Sequence, residues 1–105
     1  MRFTSYLQDG YLTVALTGEI DHHCAKVYIS EISAKIEAYK PHSCTLDFQA
    51  VSFMDSSGIA VVINAMRMMN QLGGKLYLCS IQAQPMRVFR ASGVDKLIEI
   101  KECVS

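Results

Sequence analysis

A surplus of charge of either sign is missing from this sequence, in which ten Lys and Arg are matched by ten Asp and Glu. Broad attraction to nucleic acid or to an anionic membrane surface needs a basic excess, so neither is expected as a partner. A basic leader followed by a long apolar run is also missing: Met1 to Asp9 is polar and alternating, which gives no secretory signal. No apolar stretch approaches the roughly 18 residues that a membrane helix requires. The four cysteines, Cys24, Cys44, Cys79 and Cys103, are far apart and form no C-x-x-C pair. That spacing offers no zinc pattern and no disulfide framework, and it predicts four free thiols in a reducing cytoplasm.

What is present is material for one core. Half of the 105 residues are hydrophobic, enough for a single globular domain over residues 1–105 and too few residues for a second. Arg2 to Leu7 and Tyr11 to Thr17 flank Asp9-Gly10, a dipeptide that tolerates positive φ and closes tight hairpins. After Gly18 the period changes. Ala25, Ile29, Ile32, Ile36 and Tyr39 recur at helical spacing, with Asp21 as the expected N-cap and Pro41 as the stop.

Cys44 to Phe48 reads as a short strand, and Val51 to Met54 leads into Asp55-Ser56-Ser57-Gly58. Ile59, Val62, Ile63, Met66 and Met69 then trace a second helix that ends at Gly73-Gly74. Lys75 to Ser80 is another strand. Pro85 fits the first position of a third helix, Gly93 fits the left-handed position after it, and Leu97 to Ile100 reads as the last strand. The order ββαβαβαβ predicts an α/β fold, a mixed sheet opened by a β-hairpin with helices packed against it. The order of strands within the sheet does not follow from the sequence.

In such folds, sites gather where strands give way to helices. Two junctions qualify, Gly18-Glu19-Ile20-Asp21-His22-His23 and Phe53-Met54-Asp55-Ser56-Ser57-Gly58. If their strands are neighbours, the two loops meet at one edge of the sheet. The first turn of the second helix favours negative charge, a carboxylate or a phosphate. Gly58 has no side chain to obstruct an approaching partner, although Asp and Ser are also ordinary helix caps.

Catalytic alternatives fail on spacing. A nucleophile elbow needs Gly two positions on each side of the serine, and Met54 occupies the upstream place. No histidine follows Ser56, since His22, His23 and His42 all precede it. His22, His23 and Cys24 are consecutive, and neighbours on a helix point roughly 100° apart, a poor chelate. No metal and no cofactor is assigned, and no enzyme activity is expected. Met66, Met68 and Met69 read as helix core and flank, and Gly73-Gly74 follows a helix, so it is a stop and not a phosphate loop.

G-E-I-D-H-H at Gly18–His23, S-F-M-D-S-S-G at Ser52–Gly58, G-G-K-L at Gly73–Leu76 and F-R-A-S-G-V at Phe89–Val94 together resemble the STAS family. Within it the likeness is to the anti-sigma factor antagonists, above all the sporulation anti-sigma F branch. The resemblance implies that the unphosphorylated protein binds an anti-sigma factor, a serine kinase with bound nucleotide, and so frees a sigma factor. It further implies that Ser56 is the phosphoacceptor, that a serine phosphatase resets it, and that Asp21, His22, Asp55, Ser57 and Gly58 join Ser56 in partner binding. Rival implications within the same family are an antagonist for a stress-response anti-sigma factor, or a module that binds a small ligand or a larger assembly without phosphorylation. Three departures are visible: Cys24 stands where Thr is common, Ala60 where Gly is usual, and the chain ends at Ser105, soon after the last expected strand, where relatives carry a further helix.

Overall fold

A computed structural model describes residues 3–101. The opening hairpin pairs β1 (Phe3–Gln8) with β2 (Tyr11–Ile20) antiparallel, from Phe3 opposite Leu16 to Gln8 opposite Tyr11. Asp9 and Gly10 turn the chain with φ of 54° and 83°, the two consecutive positive values that a tight hairpin demands. From there strands and helices alternate: α1 (His22–Tyr39), β3 (Ser43–Met54), α2 (Ser57–Gln71), β4 (Lys75–Cys79), α3 (Ala83–Ser92), a 3₁₀ turn (Val94–Lys96) and β5 (Glu99–Lys101).

The five strands lie in sequence order, β1-β2-β3-β4-β5, and every pairing after the hairpin is parallel. Parallel neighbours joined through helices make crossovers of one hand, so a sheet that advances steadily in one direction receives its helices on one face. Accordingly Leu12, Val14 and Leu16 of β2, Leu46 and Phe48 of β3 and Leu78 of β4 share one buried cluster with residues of all three helices. Alternate residues point to the opposite, more polar face, where Lys101 Nζ lies 4.4 Å from the centre of the Tyr77 ring.

The helices follow their apolar stripes, with one exchange. On α1 the buried residues are Ala25, Tyr28, Ile32 and Ile36, while the expected Ile29 is half-buried and Tyr39 is exposed. Tyr28 takes the inward position because its hydroxyl has a partner there, donating to the Thr17 carbonyl at 2.9 Å, which removes the penalty of burying a phenol. Lys40 then adopts the left-handed conformation at φ 44°, and Pro41 ends the helix. Pro85 is the third residue of α3 rather than the first. It is tolerated because N–H groups in the first turn have no intrahelical acceptor.

Three strand boundaries and one redox expectation are corrected, the first being β2, which runs on to Ile20 and does not stop at Thr17. β3 is one continuous strand where the sequence reads as two pieces, because bulges interrupt its alternation. From Ala15 to Glu19 β2 advances four residues while β3 advances six, from Asp47 to Phe53, leaving two extra residues on β3. Phe48, Val51 and Met54, three apart, are therefore all buried. The last strand is Glu99–Lys101 and not 97–100, since Leu97 closes the 3₁₀ turn and is exposed. Cys24 and Cys44 are free thiols, but Cys79 is disulfide-bonded. Spacing along the chain does not report proximity across a ladder, and the β4–β5 pairing sets Cys79 opposite Lys101; Cys103 lies outside the described residues.

Candidate functional site

The two strand-to-helix junctions are neighbours because β2 and β3 are. Ile20 and Met54, the last residues of those strands, are register partners, and the Asp55 N–H continues the ladder by donating to the Ile20 carbonyl at 3.1 Å. Asp21 and Asp55 therefore begin adjacent loops, which is the meeting of loops that the sequence left conditional. Gly18, at φ 83°, lies beside the second bulge in a conformation few other residues adopt without strain.

At the first junction the cap and the cysteine thiol bond to one another. Asp21 is the N-cap of α1, and its Oδ1 accepts from the N–H of His23 at 2.9 Å and of Cys24 at 3.2 Å. The Cys24 thiol folds back to within 3.2 Å of both Asp21 Oδ1 and the Glu19 carbonyl. That thiol, followed by the backbone N–H groups of Cys24 and His23, holds the Asp21 carboxyl below its usual range. His22 and His23 are exposed with ring centres 4.0 Å apart. Among the described residues no group of three or more His, Cys, Asp and Glu side chains is arranged to hold a metal ion.

The second junction distributes its bonds differently. Asp55 Oδ1 accepts from the Ser57 N–H at 2.8 Å, and the Asp55 carbonyl accepts from the Gly58 N–H at 3.1 Å. The aspartate thus does the capping. Ser56, already in the right-handed helical region with φ −63° and ψ −18°, makes no capping hydrogen bond through its side chain, and it is exposed. Its hydroxyl is left over at the N-terminal end of a helix.

Gly58 has a different role from the one its sequence position implies. It is buried, and a Cβ added there would fall on Cγ and Sδ of Met54, itself fully buried. The glycine faces inward and lets α2 seat directly on the end of β3, so its lack of a side chain serves packing and not access from outside.

Two features near the site were not singled out from the sequence. Phe53 is 42% exposed beside the loop; strand alternation carries the signal, since Met54 inside requires Phe53 outside. Gln84 of α3 bonds the Met54 backbone, accepting from its N–H at 2.8 Å and donating to its carbonyl at 3.0 Å. No local pattern announces that contact, because the partners are 30 residues apart.

A STAS domain model matches residues 2–105. The anti-sigma F factor antagonist of Paenibacillus polymyxa is 31% identical over 91 residues, covering 87% of this chain and 78% of that protein. The structure of unphosphorylated SpoIIAA, an anti-sigma factor antagonist, superposes with a TM-score of 0.86 at 26% identity, covering 99% of this chain and 90% of that one. The phosphorylated form of SpoIIAA, a Bacillus cell fate determinant, superposes with a TM-score of 0.77 at 26% identity, covering 99% and 93%. With the model spanning nearly its whole length and the β1-to-β5 sheet shared, the chain belongs to the STAS domain family.

Proposed function

We propose that this STAS domain is an anti-sigma factor antagonist, that its unphosphorylated form binds an anti-sigma kinase and releases a sigma factor, sigma F by its likeness to anti-sigma F factor antagonists, and that phosphorylation of Ser56 ends the binding. The observation that carries this reading is the free Ser56 hydroxyl: Asp55 supplies the cap, so a kinase takes no bond from the fold when it modifies the serine. The 31% identity to an anti-sigma F factor antagonist supports the partner class. That a similar fold has been solved in both phosphorylated and unphosphorylated forms supports a switch that leaves the architecture standing.

The partner surface in this reading is formed by Asp21, His22, Asp55, Ser56 and Ser57, with Phe53 as an apolar anchor beside them and Gly58 as its internal support. Phosphate adds about −1.5 to −2 charges at Ser56. Against a nucleotide or acidic group held by the kinase about 5 Å away, each unit pair repels by roughly 3 kcal/mol at an effective dielectric near 20. One such pair weakens binding on the order of a hundredfold. Within the domain the new charge meets two opposing influences. The α2 N-terminus favours it by about 0.3–1 kcal/mol, and the adjacent Asp55 carboxylate opposes it by a comparable surface-level amount, so stability changes little. A serine phosphatase restores the binding form, and the cycle takes place in the cytoplasm.

Incubation with ATP and the anti-sigma kinase of the same genome tests the assignment. The intact protein gains one phosphate, peptide mapping places it on Ser56, and Ser56→Ala gains none while Ser57→Ala still does. Phosphate arriving on Ser57, or on neither serine, contradicts the reading.

A further inference from the structure

β4 pairs with β3 only from Ser43–Lys75 to Asp47–Cys79. Over residues 48–54, β3 therefore has β2 along one edge and, among the described residues, no strand along the other, although strand-edge backbone groups in a partly buried setting need partners. The start of α3 supplies them. Gln82 Nε2 donates to the Gln49 carbonyl at 2.7 Å, and Gln84 gives Met54 both an acceptor and a donor, at 2.8 and 3.0 Å. A primary carboxamide so placed reproduces the donor and acceptor pair of a neighbouring strand residue. The end of β3 is thus held along both edges, with both Met54 backbone groups bonded to Gln84 and the next N–H, that of Asp55, donating to the Ile20 carbonyl of β2 at 3.1 Å, while the Met54 side chain is enclosed beneath Gly58. Asp55 and Ser56 follow immediately in the chain.

We infer that Gln84 is a positioning residue for the Ser56 loop: its carboxamide stands in for the missing strand and fixes the peptide planes from which the phosphoacceptor is presented. This inference rests on the reading of Ser56 as the acceptor. The attachment of α3 does not depend on the amide, because Phe89 packs edge-to-face on Phe48 with ring centres 5.4 Å apart and Pro85 is buried. Removing the amide frees the end of β3 and leaves the helix docked.

Two variants of the full chain test it. Gln84→Met keeps the length and loses both bonds; the Met54 amide then exchanges with solvent at least about tenfold faster while amides of α1 and β4 keep their protection. Phosphotransfer to Ser56 by the anti-sigma kinase falls by a similar factor in kcat/KM, since the freed segment carries both the acceptor and part of the docking surface. Gln84→Glu carries a pH signature. Ionised, its carboxylate still accepts from the Met54 N–H but repels the Met54 carbonyl, so protection falls between that of the wild type and that of Gln84→Met; protonated below about pH 5, it presents an O–H and a C=O and recovers full Met54 protection, which Gln84→Met does not. Unchanged Met54 protection and unchanged phosphotransfer in Gln84→Met overturn the inference, as does faster exchange spread evenly through the molecule. If the wild type accepts no phosphate, the Ser56 reading fails, and the exchange arm still decides whether Gln84 holds the loop.

Discussion

The two junctions are built on one plan and differ in what they leave unused. Asp21-His22-His23-Cys24 and Asp55-Ser56-Ser57-Gly58 each follow a buried strand-end residue, and each aspartate accepts from the N–H two residues on, at 2.9 and 2.8 Å. At the first, the fourth residue is a cysteine whose thiol returns to the cap. At the second it is a glycine that presses on Met54. The first junction ties its fourth residue back to its cap, and the second keeps one hydroxyl outside its own hydrogen bonding. The aspartate does similar work in both places, and the chemistry depends on what the cap makes unnecessary.

The largest break in that comparison should come at the fourth position. Gly58→Val forces branched methyl groups into the space held by Met54 Cγ and Sδ, an overpacking worth about 2–3 kcal/mol. Cys24→Ala at the matching position removes only a half-exposed thiol and should cost under about 1 kcal/mol. Urea denaturation of the two variants compares them directly; equal midpoints would show that Gly58 is not a packing requirement. Next in size is the second cap. Asp55→Ala should lose about 1 kcal/mol, or about 4–8 °C in Tm for a domain near this size, and Asp55→Asn should recover most of it by keeping the acceptor oxygen.

The smallest effect belongs to the first cap and depends on pH. The folded state holds the Asp21 carboxyl below its ordinary value, so the aspartate contributes stability above the unfolded pKa of about 3.9 and loses it as the pH falls through the lower folded value. Thermal unfolding between about pH 6 and 2.5 should show the wild type losing slightly more stability than Asp21→Asn. A wild type that loses no more than the variant would remove the cap from the account.

Much of this was legible in the sequence where the signal is local. Asp9-Gly10 gave the hairpin, Asp21 the first cap and Gly93 the left-handed end of α3, each through a backbone preference carried by the residue itself. What was not legible depends on pairing across the chain. The β3 bulges depend on the β2 register, the bond at Cys79 on chain segments brought side by side, and the Gln84 contact on a helix 30 residues beyond Met54. The inward role of Gly58 was hidden for the same reason, since only the packed position of Met54 shows which way the glycine faces.

Affinity and stability measured on the same two samples, the unphosphorylated protein and its Ser56-phosphorylated form, with the nucleotide-bound anti-sigma kinase as titrant, decide whether phosphate acts by charge alone. Phosphorylation should weaken binding roughly a hundredfold while Tm moves by no more than about 3 °C. Undiminished affinity, or a loss of affinity accompanied by a fall in Tm of about 10 °C or more, would contradict a switch that acts by charge on a standing fold.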